Sequence, residues 1–171
     1  MEYPETATGS QFSFQNFPRR VLAPLPLPLL QPILGRIIRG AAENRPELFN
    51  RLGIHQNKAY LIDPINMPFV FLLMPDAARP RLKAYRRSRQ LPGYDARIAG
   101  TFLTLMNMVD GQLDGDALFF TRDLIVEGDT EAVVVLRNAL DDLDGSIIDD
   151  LADQFGPIGR AVAFTLRRIR I

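Results

Sequence analysis

The run Phe69-Val70-Phe71-Leu72-Leu73-Met74, set between Pro68 and Pro75, limits the folds open to this chain more than any other segment. Six residues are too few for a buried helix and the prolines stop both ends, so the run predicts a strand apolar on both faces. Such a strand lies inside a sheet and needs other layers to cover it. Its neighbours fit a meander. Ala59-Tyr60-Leu61-Ile62 is a short strand closed by Asp63-Pro64, and Arg81 to Tyr85 alternates as a strand with one wet face should. Asp95 to Gly100 is a fourth strand with Ala96 and Ile98 on one face, and Leu124 to Glu127 is the last.

Helical periodicity surrounds these strands. Residues 32–51 read as helical from Pro32, are divided by Pro46 and stop at Gly53. Thr101 caps a helix carrying Phe102, Leu105, Met106 and Val109; Asp129 caps another with Val133, Leu136, Leu140 and Leu143 inward. Two further helices run from about Ile147 to Phe155 and from Pro157 onward. The sum is an α+β domain with a mixed β-sheet of about five strands, covered by helices mainly on one face.

The predicted organisation has three parts: a Pro-rich N-terminal arm over 1–31, a domain over 32–155, and a basic amphipathic C-terminal helix over 156–171. Alternating prolines in Val21 to Leu30 preclude a continuous helix there, so residues 18–32 read as an extended arm over apolar surface or, less simply, a peptide ligand. The acidic, polar start does not resemble an export signal, and the expected location is cytoplasmic. In the last segment Ile158, Ala161, Val162, Thr165, Leu166 and Ile169 form one stripe, with Arg160, Arg167, Arg168 and Arg170 away from it. That helix either closes the core or lies on an anionic bilayer.

Composition narrows the chemistry. The chain of 171 residues has no Cys and a single His, which excludes disulfides, thiolate sites, cysteine nucleophiles and multi-histidine metal sites. His55 reads as a surface or hydrogen-bonded residue in a loop. The Asp110, Gln112, Asp114, Gly115 spacing opens like a calcium loop, but Thr121 stands where its bidentate acid should be. Neither a metal, a cofactor nor a catalytic residue is expected. The net charge is zero, but residues 1–109 carry 14 Lys/Arg against 7 Asp/Glu, residues 110–159 carry 2 against 13, and residues 160–171 add 4 Arg. Neutrality disfavours nucleic acid. The cations at 79–89 either contact anionic headgroups or an acidic partner, or protect a solvated edge strand.

Residues 114–131, Asp-Gly-Asp-Ala-Leu-Phe-Phe-Thr-Arg-Asp-Leu-Ile-Val-Glu-Gly-Asp-Thr-Glu, resemble the sterol carrier protein type 2 family, in which a strand ending in Glu-Gly-Asp leads into a helix. The Leu-Phe-Phe-x-Arg-x-Leu and Glu-Gly-Asp-Thr-Glu combination, with Asn138 and Asp141, is similar to the UbiT-like members, accessory factors of oxygen-independent ubiquinone biosynthesis. The resemblance implies a non-catalytic fold whose sheet and helices enclose an apolar lipid tunnel. It also implies a ubiquinone precursor or phospholipid as ligand, peptidase-like hydroxylases as partners, and peripheral contact with the inner membrane.

A tunnel of that kind would be lined by Phe69, Phe71, Leu73, Ile98, Phe102, Leu105, Met106, Phe119, Phe120, Leu136 and Leu140, with Val162 and Leu166 from the last helix. At about 0.8 kcal/mol per buried methylene, a chain of about fifteen gains about 12 kcal/mol before ordering costs. Arg81, Lys83, Arg86, Arg87, Arg167 and Arg168 are the candidate headgroup or membrane contacts. The same apolar residues would equally fill an ordinary core. A scaffold with a collapsed tunnel, or an enzyme with a carboxylate in an apolar cavity, stays open beside the carrier.

Overall fold

The computed structural model describes residues 26–88, 90–109 and 124–142, together with Ala152, Asp153, Phe155, Gly156, Pro157, Arg160 and Phe164. Five strands form one sheet: β1 (Tyr60–Pro64), β2 (Phe69–Met74), β3 (Arg81–Arg86), β4 (Ala96–Gly100) and β5 (Ile125–Gly128). Their order is β3-β2-β1-β4-β5. The apolar run is β2, held between two neighbours as its two-faced composition requires. β1 and β4 are parallel and every other pair is antiparallel, so the sheet is mixed.

Register sorts the side chains. Tyr60 stands opposite Leu73 and Ala96, and Ile62 opposite Phe71 and Ile98, which puts all six on one face. Leu61, Leu72, Asp63 and Arg97 fall on the other. The first face carries the main core, where Tyr60, Ala96 and Ile98 meet Leu48, Phe49, Leu52, Leu105, Val133 and Leu136 from the helices. A smaller cluster of Leu61, Val70 and Leu72, with Tyr85 and Leu91 packed on it, marks the second.

The helices are α1 (Leu27–Asn44), α2 (Pro46–Arg51), α3 (Phe102–Val109) and α4 (Thr130–Asp141), with a 3-10 turn over Gly53–Asn57. Thr101 Oγ1 accepts from Thr104 N at 3.2 Å and Asp129 Oδ1 from Ala132 N at 3.0 Å, so both expected caps are made.

Two expectations change here. Residues 27–32 are helical, not an extended arm, and the helix begins five residues before Pro32. Pro28 lies in the first turn, where an amide has no intrahelical partner to lose. Pro32 forgoes only the bond to the Pro28 carbonyl, and both residues are exposed, so water can satisfy that oxygen. The rest of the arm lies outside the described residues. Likewise, Asp63-Pro64 does not close β1 but belongs to it, paired with Ala99 and Gly100.

α1 also protects an edge. β3 ends the sheet, and the Gln31 amide reaches it, donating to the Ala84 carbonyl at 2.7 Å and accepting from the Ala84 N–H at 3.4 Å. One side chain thus does what a sixth strand would do. Gln31→Ala is expected to lower stability by about 1 kcal/mol in urea unfolding; an unchanged midpoint would show that water serves equally well.

Candidate functional site

The helix side of the sheet is not evenly sealed. Among the described residues, α1 packs closely on β3 at one end, while α4 packs on β4 and β5 at the other. β1 and β2 lie between these contacts. Under α4 the cover is complete: Ala96 and Ile98 are 0 % exposed and Leu136 is 4 %. Toward β2 and β3 it is not, because Ile62, Phe71, Leu73 and Leu82 on the same face are only partly buried. These are inner-strand or inward-facing positions that a helix seated directly above would hide. Phe102, Met106 and Val109 of α3 and Ala41 and Ala42 of α1 are partly buried as well. The result is a continuous apolar strip between two helix–sheet contacts.

Among the described strand residues nothing ionised lies along it. On this face of the five strands the charged side chain is Arg86, exposed at the rim with its guanidinium 5.8 Å from the Phe69 ring. Tyr60, beneath α4, contacts the carbonyls of His55 (3.1 Å) and Ala132 (3.4 Å). Burial, aided by the Asp129 and Asp95 charges, pushes its pKa up to about 12, so the phenol is neutral at physiological pH. His55 is buried rather than surface-exposed, with Nε2 3.9 Å from Glu131 and Nδ1 unpartnered. No trio of His, Cys, Asp or Glu among the described residues is arranged to hold a metal.

The expected lining divides accordingly. Ile98, Leu105, Leu136 and Leu140 are sealed in one cluster, against which Leu73 packs. Phe69 is buried at 1 % exposure, while Phe71, Phe102 and Met106 border accessible space. Phe119, Phe120, Val162 and Leu166 lie outside the described residues, as do Arg167 and Arg168. Ile62 and Leu82 were missed, although the alternation of their strands marks them as inward-facing. Of the cationic set, Arg81 and Lys83 are exposed on the opposite face from the strip.

Arg87 is the correction within that set. It does not face a headgroup but turns inward, donating from Nη2 to Asp63 Oδ1 and to the Pro64 carbonyl at 2.8 Å, and from Nε to the Met67 carbonyl at 3.1 Å. Arg97 donates to Asp63 Oδ2 from Nη2 at 2.6 Å and from Nε at 3.0 Å, and pairs with Glu127 at 2.8 Å. Burial of Asp63 alone would raise its pKa, but the hydrogen bonds and charges of Arg87 and Arg97 outweigh it and hold the carboxyl below its ordinary range. This network ties β1, β4 and β5 together on the face away from the strip. A carboxylate so satisfied is a structural tie and a poor general base.

Among the described residues no helix is long and apolar enough to cross a membrane. Residues 42–141 match the model of the SCP-2 sterol transfer family. The fold is similar to that of a solved structure titled UbiJ-SCP2 ubiquinone synthesis protein, with a TM-score of 0.53 at 17 % identity over 68 % of this chain and 93 % of that one. A sterol carrier protein 2 from Yarrowia lipolytica in its apo form gives a TM-score of 0.44 at 14 % identity, over 65 % of this chain and 89 % of that one. None of the curated proteins matches the sequence.

Proposed function

The chain belongs to the SCP-2 sterol transfer family, and on that premise we propose that it is a non-catalytic carrier that holds the apolar chain of a lipid along the strip between α1 and α4. The observation carrying this reading is the incomplete cover over β1 and β2, where Ile62, Phe71 and Leu73 stay partly accessible beside a sealed core. An uncharged apolar surface of this kind gains by covering methylenes and needs no directional polar chemistry. Residues beyond the described ones, including Phe119, Phe120, Val162 and Leu166, would complete the enclosure as a tunnel.

The ligand is a prenylated quinone precursor or a phospholipid, and the setting is oxygen-independent ubiquinone biosynthesis, as for UbiT. The motif over 114–131 and Asn138 and Asp141 support that narrower reading. In it the protein is cytoplasmic and touches the inner membrane peripherally through Arg81, Lys83, Arg86, Arg167 and Arg168, handing its ligand to peptidase-like hydroxylases. The sterol-carrier-like unit spans 32–155, flanked by the arm and a basic C-terminal helix.

Phe71→Asp places a charge on the strip without deleting a sealed core residue. Binding of a fluorescent fatty acid and of a short-chain ubiquinone analogue is expected to weaken by about tenfold or more, since a carboxylate cannot be buried unpaired. Retained circular dichroism with unchanged affinity would place the ligand elsewhere. Organic extracts of purified protein that contain no lipid, together with no binding of added lipid or quinone, would end the carrier reading.

A further inference from the structure

The C-terminal half of α1 and the turn leading into β3 enclose an open cleft of about 380 Å³. Arg39 and Glu43 line it from the helix and Arg79 and Arg81 from the opposite wall, with only alanines and a proline between them. Three guanidiniums thus share the space with one carboxylate, a surplus of two positive charges. Among the described residues none of the three arginines is engaged in an ion pair. Asp76, the acid of the turn, does not line the cleft; its side chain accepts from the Ala78 N–H at 2.9 Å. The charge surplus is therefore open to a group from outside.

We propose that this cleft docks an acidic segment of a partner protein, one that brings two carboxylates into it. A guanidinium presents a planar fork that a carboxylate meets with both oxygens, and such pairs recur in protein interfaces. Two carboxylates cancel the surplus, and an extended segment carries alternate side chains on one side, so an acid-x-acid pattern supplies both together. Glu43 then accepts a backbone N–H of the segment instead of opposing it. A bilayer fits this geometry less well. Headgroups form a plane that meets the rim of a cleft and not its interior, and no large apolar side chain lines the cleft to enter an acyl layer. The proposal stands on the charge and shape of the cleft and goes beyond the carrier reading. It also gives the partner a position: Ala42 in the cleft wall and Leu82 beside Arg81 both pack against the main core, so a docked partner faces one end of the strip.

Fluorescence anisotropy with the full chain tests the docking site, using a labelled peptide of alternating glutamate and glycine and a counterpart with glutamine in place of glutamate. At about 0.05 M salt, where charges are weakly screened, the native chain should bind the acidic peptide at least about tenfold more tightly than the neutral one. R39Q/R79Q leaves Arg81 against Glu43, a neutral cleft, and should cut that preference to within about twofold. K83Q/R86Q removes two exposed cations outside the lining and should keep it. All four side chains are exposed, so both variants retain the core. No preference in the native chain, or an equal loss in the two variants, overturns the site. Sedimentation with phosphatidylserine vesicles that falls in R39Q/R79Q, with no binding of the acidic peptide, makes the cleft a bilayer contact and overturns it as well. Binding of a fluorescent fatty acid should be the same in the native chain and in R39Q/R79Q; its loss in that variant would make the cleft part of the lipid site and not a docking surface.

Discussion

Asp63→Ala is expected to remove about 3–5 kcal/mol of folding stability, read as a shift of the urea midpoint. Asp63 is 0 % exposed, and its two oxygens take hydrogen bonds from Arg87 and Arg97. Deleting the carboxylate strands two guanidiniums at a poorly hydrated site, and a loss of that size is a large fraction of what a single domain has. Arg87 still holds Asp63 when Arg97 is removed, so Arg97→Ala should cost less than Asp63→Ala.

The pH dependence follows from the direction of the shift. Asp63 has its pKa depressed in the folded protein, so its contribution is fully present above the unfolded value of about 3.9 and is lost as pH falls through the folded value. The stability gap between the native chain and Asp63→Asn should therefore be constant near neutrality and close below about pH 4. A gap that persisted undiminished well below that pH would show that the ion network is not its source.

Gly128→Ala is expected to cost about 3 kcal/mol or more and to leave little folded protein if the domain is marginal. Gly128 has φ +80°, a left-handed conformation that an L side chain enters only at a cost, and an added Cβ would run into the Asp95 carbonyl. That carbonyl cannot retreat, because it accepts from the Asp129 N–H at 2.9 Å and so fixes the start of α4. Gly53 is the control. Its φ is +52°, but nothing lies within 4 Å of an added Cβ, so Gly53→Ala should cost only the conformational penalty of about 1–2 kcal/mol. Equal losses at the two glycines would show that strain, and not the close approach to Asp95, sets the cost at Gly128.

The Glu127-Gly128-Asp129 stretch was legible as a strand running into a helix cap, and it lies within the longer combination over 114–141 that carries the family resemblance. Its reason was not legible. Asp129 is recognisable as a cap because short polar side chains serve amides one turn away. The need for glycine comes from Asp95, more than thirty residues earlier, which only sheet pairing brings beside it. The same division runs through the site. Ile98, Leu105, Leu136 and Leu140 were expected together as tunnel lining or as ordinary core, yet whether a given member is sealed or borders open space depends on where α1 and α4 rest on the sheet. Arg87, one of a string of similar cations, was expected to contact headgroups or an acidic partner, or to charge a solvated edge; the partner that turns it inward is in another strand.

From the chain alone came everything that depends on neighbours a few residues apart: two-faced apolar character in β2, alternation in β3, helix periodicity, the caps at Thr101 and Asp129, and the lack of thiols that removes whole classes of chemistry. These are properties of rotamers and backbone hydrogen bonds, which act locally. Only the tertiary structure decided that β1 pairs with β4 in parallel, that Asp63 is the buried partner of two arginines, and that, among the described residues, α1 rests mainly on β3 and α4 on β4 and β5. Those outcomes depend on desolvation and close packing between distant segments, and neither energy exists until the segments meet.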